Sequence, residues 1–184
     1  MSEPKKLLRA ELVETRRNME KSVRKDFDER IYNNLVNLDC VKRCGTFLVY
    51  ASSPVEVDTR RFITAMLDKG KTVAIPKCVG KEMRFLAIDS LSSLVKSGFG
   101  VDEPSDGEQI VDFSGTVCIV PALRFDKDGF RLGWGGGFYD RFLADYNGIS
   151  VGMCYEDCCG EVPKDRYDMP VDTVITENGI YCRS

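Results

Sequence analysis

Short apolar runs alternate with amphipathic stretches along this chain, and the alternation constrains its fold more than any other feature. The spacing of apolar residues predicts helices over roughly residues 4–20 and 22–38, and a third helix that begins after Asp58 or Thr59. A fourth, short helix is expected in "FYDRFLADY". Strands are predicted for "TFLVYAS", "KTVAIPK" up to Pro76, "MRFLAI", "TVCIVPAL", "ISVGMCY" and "DTVIT". This order indicates an α/β domain with a mainly parallel sheet covered on both faces, a class that binds ligands at the carboxyl ends of its strands.

The length and charge of the chain limit its organisation and partners. Its 184 residues fit a single domain that spans residues 1–184, with a polar surface connection over residues 95–114. The net charge of −3 and pI of about 5.2 argue against a nucleic-acid partner. The N-terminal residues form no apolar signal segment, and no stretch approaches membrane-spanning length. We therefore expect a cytoplasmic protein with no membrane partner.

The sequence contains eight cysteines and no histidine. The absence of histidine excludes Ser-His and Cys-His nucleophile activation, and it leaves only cysteine and carboxylate ligands for zinc. Because the cysteine spacing does not match paired CxxC motifs, we expect reduced thiols that are mostly buried. Any chemistry must then rely on carboxylates, cations, backbone donors or a metal.

Four glycines occur together in "RLGWGGGFYDRFL", residues 131–143, directly before the short helix. Successive glycines allow backbone N–H groups to converge on one concavity, and a helix start adds partial positive charge. Arg131 supplies a guanidinium suited to phosphate oxygens. Asp140, in the first helical turn, would repel a phosphate unless Mg²⁺ bridged the two groups. The stretch thus indicates a phosphate-binding loop, with a plain glycine-rich turn as the alternative because the P-loop and GxGxxG spacings are both missing.

The longer segment "FDKDGFRLGWGGGFYDRFL" resembles the signature of the 5-formyltetrahydrofolate cyclo-ligase family, also called methenyltetrahydrofolate synthetases. The resemblance implies a three-layer αβα fold like that of sugar-phosphate isomerases and CoA transferases. Two positions depart from the common pattern: Tyr167 stands where many members have histidine, and the loop has Trp134 and Gly136 where some members have basic residues. Other segments follow in family order over nearly the whole chain: "KKLLR", "ASSPVEVDT", "IPK", "MRF", "GVDEP", "VPAL" and "YDMPVDTVITE".

The resemblance implies ATP as co-substrate. Lys5 and Arg9 match the family's N-terminal basic pair, and their spacing of four places both on one helical face. The alternative for this pair is a solvated basic surface. The other matching nucleotide-binding positions are Arg131, Leu132, Gly133, Trp134, Gly135, Gly136, Gly137, Phe138 and Tyr139.

The resemblance also implies Mg²⁺, with Asp140 and Asp168 at the family's metal-binding positions. Two carboxylates together with phosphates are a chemically sensible ligand set for Mg²⁺. Asp172 is an alternative ligand, and a turn residue before Met169 is the alternative role for Asp168. Arg131 and Asp140 are the residues expected to act in catalysis.

On the folate side, Glu56 matches the glutamate that contacts the folate in family members. A carboxylate accepts two parallel hydrogen bonds from the N–H and amino edge of a pterin. The flat indole of Trp134, the only tryptophan, is suited to stacking on the substrate. The remaining positions that match the folate pocket are Ala51, Gly135, Gly136, Gly137 and Phe138.

The reaction implied by the resemblance converts 5-formyltetrahydrofolate and ATP into 5,10-methenyltetrahydrofolate, ADP and phosphate. It needs no enzyme nucleophile, which agrees with a chain that lacks histidine. We expect small-molecule substrates and a monomer or weak dimer. Two alternatives stay open: another phosphate-binding enzyme of the same fold, and a module that binds folate or nucleotide without catalysis.

Overall fold

The computed structural model describes residues 3–98 and 100–182 and contains one large sheet flanked by helices. Two long helices come first, a five-residue helix follows them directly, and two further short helices follow strands. The helices are α1 (Glu3–Asn18), α2 (Lys21–Asn37), α3 (Asp39–Arg43), α4 (Arg60–Asp68) and α5 (Phe138–Ala144), with single 3₁₀ turns at Leu91–Ser93 and Glu156–Cys158. None of the helices within the described ranges is long and apolar enough to cross a membrane.

The strands are short, and several have only two or three residues. They are β1 (Thr46–Val49), β2 (Thr72–Val79), β3 (Glu82–Ile88), β4 (Leu94–Lys96), β5 (Asp102–Pro104), β6 (Gln109–Ile110), β7 (Val117–Pro121), β8 (Arg124–Phe125), β9 (Arg131–Leu132), β10 (Ile149–Met153), β11 (Thr173–Ile175) and β12 (Ile180–Cys182).

Eight of the strands form the central sheet, in the order β12-β11-β10-β7-β1-β2-β3-β6. The five central strands, from β11 to β2, are parallel, whereas β12 at one edge and β3 and β6 at the other are antiparallel to their neighbours. The predicted α/β class with a mainly parallel sheet is therefore confirmed. The remaining strands pair as two small hairpins, β4-β5 and β8-β9.

The centre of the sheet is apolar on both faces. Every residue of β7 is buried, and Phe47, Leu48 and Val49 of β1 have no exposed surface. Such continuous burial accounts for the uninterrupted apolar runs by which these strands were predicted. Phe62 of α4 packs edge-on against Phe47, with ring centroids 5.2 Å apart, and so attaches that helix to the sheet.

The order in which strands are added to the sheet changes sides at β1. From β1 it passes through α4 to β2 on one side, whereas the later strand β7 pairs with the other side of β1. In parallel sheets of this kind, a crevice opens outside the carboxyl ends of the two strands at such a switch point. Two segments border this crevice: the loop after β1, residues 50–59, and the segment after β7, residues 122–137, which includes the glycine loop.

Two sequence predictions were wrong in detail. Strand β2 does not end at Pro76 but continues to Val79, because β1 pairs with β2 only as far as Ala74 and therefore needs no N–H from Pro76. The connection over residues 95–114 is polar, as predicted, yet it holds β5 and β6. Both are too short to show a periodic pattern in the sequence.

Candidate active site

The loop after β1 carries a carboxylate that is fixed from two directions. The Oε2 atom of Glu56 accepts a hydrogen bond of 2.8 Å from the backbone N–H of Ser53, within the same loop. Its Oε1 atom accepts one of 2.9 Å from the indole Nε1 of Trp134, on the glycine loop. The loop is anchored below by Thr59, whose hydroxyl donates to the carbonyl of Tyr50 at 2.6 Å. Glu56 thus joins the two segments that border the crevice.

The glycine loop has a backbone that other residues would strain. Gly135 has φ of +100° and Gly137 has φ of +65°, in the left-handed region that favours glycine. Trp134 and Gly135 lie exposed at the rim, and half of the surface of Trp134 is accessible. The loop is held from one side by Arg9, whose Nε donates to the carbonyl of Gly133 at 2.7 Å.

Arg131 lies buried beneath this loop, with 7% of its surface exposed. Its guanidinium donates to Oδ1 of Asp140 at 2.7 Å and to the carbonyl of Met169 at 2.6 Å. Burial lowers the pKa of Arg131, and the charge of Asp140 acts in the opposite direction. The predicted pair of Arg131 and Asp140 is therefore in direct contact and locked to the segment before β11.

Lys5 reaches the same segment from α1. Its ammonium contacts Oδ2 of Asp165 at 2.7 Å and Oδ2 of Asp168 at 3.0 Å. Burial is the largest single effect on the pKa of Lys5 and lowers it, but the hydrogen bonds and charges of the two aspartates outweigh burial, so the pKa is raised. Asp165, which the sequence analysis did not single out, thus forms a cluster of charged side chains with Lys5 and Asp168.

The two predicted metal ligands are both tied to the segment around Met169. Asp140 accepts a hydrogen bond from the backbone N–H of Met169 at 3.2 Å, and Asp168 is the residue immediately before it. Asp172 lies elsewhere: its carboxylate accepts hydrogen bonds from the backbone N–H and hydroxyl of Ser150, near the amino ends of β10 and β11. Asp168 therefore lies with Lys5 in the segment before β11, whereas Asp172 lies at the amino ends of β10 and β11, away from the carboxyl ends that border the crevice.

The carboxylates near Met169 are suited to a metal ion that is also coordinated by phosphate oxygens. The part of the chain that the structure describes holds no cluster of three or more carboxylates or thiols able to bind a metal alone. Mg²⁺, however, usually takes one or two protein carboxylates and completes its shell with phosphate oxygens and water. Asp140 and Asp168 supply two carboxylates, and Arg131 and Lys5, which now neutralise them, supply cations for the phosphates.

Two of the predicted positions contribute little beyond their backbone. Leu132 is 1% exposed and Ala51 is 8% exposed, and both pack in the hydrophobic core.

Phe138 begins α5, where its ring lies under the guanidinium of Arg141, 5.0 Å from the ring centroid to Cζ. Tyr167, which stands where the resemblance led us to expect histidine, is mostly exposed.

Sequence reasoning missed Arg16, the largest fully buried side chain. Its guanidinium donates to the carbonyls of Ala122 at 2.9 Å and Leu123 at 2.7 Å, just after β7, and to that of Val55 at 3.3 Å, in the loop after β1. It also contacts the sulfur of Cys154 at 3.4 Å. Arg16 therefore links the loop after β1 to the segment after β7, the two segments that border the crevice. The signal was present, because positions 5, 9, 12 and 16 share one helical face and three of them are basic.

Outside the crevice, the described residues include free thiols and two surface cavities. All eight cysteines are free thiols, and four of them are buried, namely Cys44, Cys118, Cys154 and Cys158. Surface cavities of about 410 Å³ and 580 Å³ lie beside α2 and beside the β8-β9 hairpin, and neither is lined by any predicted site residue.

Comparisons with known proteins identify the family of this chain. The sequence model of the 5-formyltetrahydrofolate cyclo-ligase family matches residues 1–177. A probable 5-formyltetrahydrofolate cyclo-ligase of Schizosaccharomyces pombe is 31% identical over 166 residues, which cover 79% of this chain and 81% of the relative. The Escherichia coli K12 5-formyltetrahydrofolate cyclo-ligase is 28% identical, with coverage of 90% and 96%. The solved structure of an Aquifex aeolicus 5,10-methenyltetrahydrofolate synthetase superimposes with a TM-score of 0.85 at 32% identity, covering 97% of this chain and 92% of that one.

Proposed function

Because this chain belongs to the 5-formyltetrahydrofolate cyclo-ligase family, we propose that its crevice converts 5-formyltetrahydrofolate and ATP into 5,10-methenyltetrahydrofolate, ADP and phosphate. One observation carries the proposal for the site. Lys5 and Arg131 bind Asp168 and Asp140, and the glycine loop that leads from Arg131 to Asp140 is bonded to Glu56 through Trp134. This connection supports a place for a triphosphate next to a place for a pterin.

The nucleotide side is proposed to work by exchange of ionic partners. Lys5, Arg9 and Arg131 would turn from carboxylates and backbone carbonyls to phosphate oxygens, which bind cations more strongly through charge-assisted hydrogen bonds. Asp140 and Asp168, released from their cations, would hold Mg²⁺. Mg²⁺, when bound, supplies neutralisation of charge on the β- and γ-phosphates. The exposure of residues 134–136 supports a glycine loop that is accessible to a nucleotide.

The folate side is proposed to depend on Glu56. Its carboxylate already accepts an N–H hydrogen bond from Trp134, so it is oriented to accept donors of the same kind from a pterin edge. Trp134 would then give up this bond and place its indole against the substrate. The backbone of residues 134–138 and the wall formed by Ala51 would complete the pocket.

The chemistry requires alignment and charge neutralisation only. A formamide oxygen is a poor nucleophile, and it is a poor leaving group because it would have to depart as hydroxide. Once the oxygen carries a phosphoryl group, it departs readily as phosphate. The formyl oxygen takes the γ-phosphoryl group while the bond to ADP breaks. N10 then attacks the activated carbon and gives its proton to water, and the carbon–oxygen bond breaks to release phosphate. Arg131 would stabilise the charge that develops on the phosphoryl group, with Asp140 fixing its orientation. No enzyme nucleophile or histidine is needed.

The test is to follow the near-ultraviolet absorbance of the methenyl product in a mixture of purified protein, 5-formyltetrahydrofolate, ATP and Mg²⁺. We expect the band to grow only when both ATP and Mg²⁺ are present. A flat trace from folded protein would refute the proposed activity. Binding of 5-formyltetrahydrofolate without turnover would then indicate a binding module, and turnover of a sugar phosphate without ATP would indicate another enzyme of the fold.

We also propose that residues 1–184 act as one domain and as a monomer, which size-exclusion chromatography with light scattering tests.

A further inference from the structure

One guanidinium joins the glycine loop to a distant part of the sheet. The Nη2 atom of Arg141, on α5, donates a hydrogen bond of 3.1 Å to the carbonyl of Gly136. Its Nε atom donates one of 3.1 Å to the carbonyl of Lys81, at the turn between β2 and β3. A single side chain thus bridges the loop and a hairpin that is remote from it in the sequence.

The hairpin gives this bridge a firm support. Its two strands, β2 and β3, are paired over seven consecutive residue pairs. β3 also packs against α5, because the rings of Phe85 and Phe142 have centroids 4.9 Å apart. Since Lys81 and Arg141 both belong to this packed unit, the guanidinium is fixed relative to the sheet, and the loop is fixed through it.

The residues around Arg141 leave room for its guanidinium. A Cβ atom at Gly137 would lie 2.8 Å from Nη1 of Arg141, so a side chain there would displace the guanidinium. A Cβ atom at Gly136 would lie 2.8 Å from the ring of Phe138. That ring lies beneath the guanidinium, 5.0 Å from the ring centroid to Cζ. The two glycines therefore allow the ring and the guanidinium to approach the loop closely.

The needs of α5 do not explain an arginine at this position. Arginine, lysine and methionine have nearly the same helix propensity. Arg141 is exposed, and a long exposed side chain loses conformational entropy when it is held in one arrangement. Among the described residues, none of the ion pairs involves Arg141, and both of its side-chain hydrogen bonds go to backbone carbonyls. Its contacts therefore serve the loop rather than the helix.

We propose that Arg141 is a positioning residue that fixes the glycine loop in the arrangement that binds the substrates. The inference rests on the proposed function, in which this loop contacts both ATP and the folate. Arg9 holds the loop at Gly133 and Arg141 holds it at Gly136, so residues 134 and 135 lie between two fixed points. A loop that is already ordered does not lose this freedom when the substrates bind, and their affinity is higher for that reason.

Arg141→Met tests this role, with Arg84→Met as the matched control. Arg84 is an exposed arginine of the same hairpin, and its ion pair of 3.0 Å with Glu82 stays within the hairpin. We expect Arg141→Met to raise the KM for ATP and for 5-formyltetrahydrofolate roughly three- to tenfold, with kcat within about twofold of the wild type. Its melting temperature should change by no more than about 3 °C, because the lost bonds belong to an exposed side chain. Arg84→Met should leave all kinetic constants unchanged.

Arg141→Lys separates the shape of the side chain from its charge. Lysine keeps the positive charge but lacks the planar fork that reaches two carbonyls at once. We therefore expect its KM values to lie between those of the wild type and Arg141→Met.

The fluorescence of Trp134 follows the loop without any substrate. Trp134 is the only tryptophan of the chain and lies between the two fixed points of the loop. Arg141→Met should lower the anisotropy of its emission and raise its acrylamide quenching constant roughly 1.5-fold or more, because the loop becomes more mobile. Arg84→Met should change neither quantity.

Three results would overturn the proposal. The first is a KM for Arg141→Met within about twofold of the wild type for both substrates. The second is complete recovery of the KM values in Arg141→Lys, which would assign the effect to charge alone. The third is an unchanged anisotropy and quenching of Trp134 in Arg141→Met, which would show that the loop does not depend on this residue. If the wild type forms no methenyl product, the proposed function fails, and the fluorescence measured without substrates still decides whether Arg141 fixes the loop.

Discussion

Replacing Arg16 by methionine tests whether a buried guanidinium holds the crevice together. The substitution removes two short hydrogen bonds, of 2.9 Å and 2.7 Å, to the carbonyls of Ala122 and Leu123, and a longer one of 3.3 Å to that of Val55. Hydrogen bonds to charged groups contribute about 1.5–3 kcal/mol each, so the two short bonds amount to roughly 4 kcal/mol. The carbonyls stay buried after the substitution, because they belong to the backbone at the end of β7.

An opposing effect reduces this loss. Burying a cation without a carboxylate partner carries a desolvation cost, and methionine avoids part of this cost as well as the unpaired Nε of Arg16. We therefore expect a net destabilisation of about 2–3 kcal/mol, which for a chain of this length lowers the melting temperature by about 5–10 °C. Arg16→Lys retains one donor group and should lie between the wild type and Arg16→Met.

The assay is urea unfolding followed by circular dichroism, with the adjacent, exposed Arg17→Met as the control. The control should change the free energy of unfolding by no more than about 0.5 kcal/mol. If Arg16→Met matches the control, the carbonyls it binds do not depend on the guanidinium, and the reasoning from its hydrogen bonds is refuted. A stabilised Arg16→Met would show that the cost of the buried charge exceeds the contribution of its bonds.

Four further predictions concern the site and its surroundings. Asp140→Asn should lower kcat by roughly a hundredfold, measured at saturating Mg²⁺, and wild-type turnover there would exclude Asp140 as a metal ligand. Glu56→Gln should raise the KM for 5-formyltetrahydrofolate by roughly tenfold in initial-rate measurements, with the KM for ATP as the internal control. Gly137→Ala, at a φ of +65°, should lower the melting temperature in calorimetry by about 3–6 °C, whereas Gly133→Ala, with no atom near a new Cβ, should not. Hydrogen bonds lower the pKa of Asp102, first that from Lys96 and then that from Arg60. Its ionised form therefore stabilises the fold at pH values above the ordinary pKa of 3.8, and this stabilisation is lost as the pH falls through the lowered pKa. Asp102→Asn should thus cost about 0.5–1 kcal/mol at pH 7 and nothing near pH 2, in unfolding curves measured across that range.

The central elements of the fold could be predicted because burial leaves a strong mark on composition. β1, β7 and β10 are buried on both faces and appear as apolar runs, and α2 keeps its apolar residues three and four positions apart. The continuation of β2 past Pro76 depends on where β1 stops pairing, which is a property of the assembled sheet. No local pattern contains that information.

The site was predictable as a set of residues but not as a set of contacts. The glycine cluster, Arg131 and Asp140 are close in sequence, and their local spacing indicated a phosphate loop. The pairing of Lys5 with Asp165 joins residues 160 positions apart, so only the folded chain shows it. Arg16 was missed because a basic residue in an amphipathic helix is usually solvated, and its burial depends on carbonyls from distant loops.

The first helix supplies all the basic side chains that approach the crevice from one side: Lys5, Arg9 and Arg16. If α1 detached while the sheet stayed intact, all three would leave together, and of the proposed phosphate-binding cations only Arg131 would remain, without global unfolding. The binding energy of a nucleotide is therefore coupled to the local opening equilibrium of a single helix. A bound triphosphate should slow amide hydrogen exchange throughout α1 more than in α4, which connects β1 and β2 and contributes none of these cations.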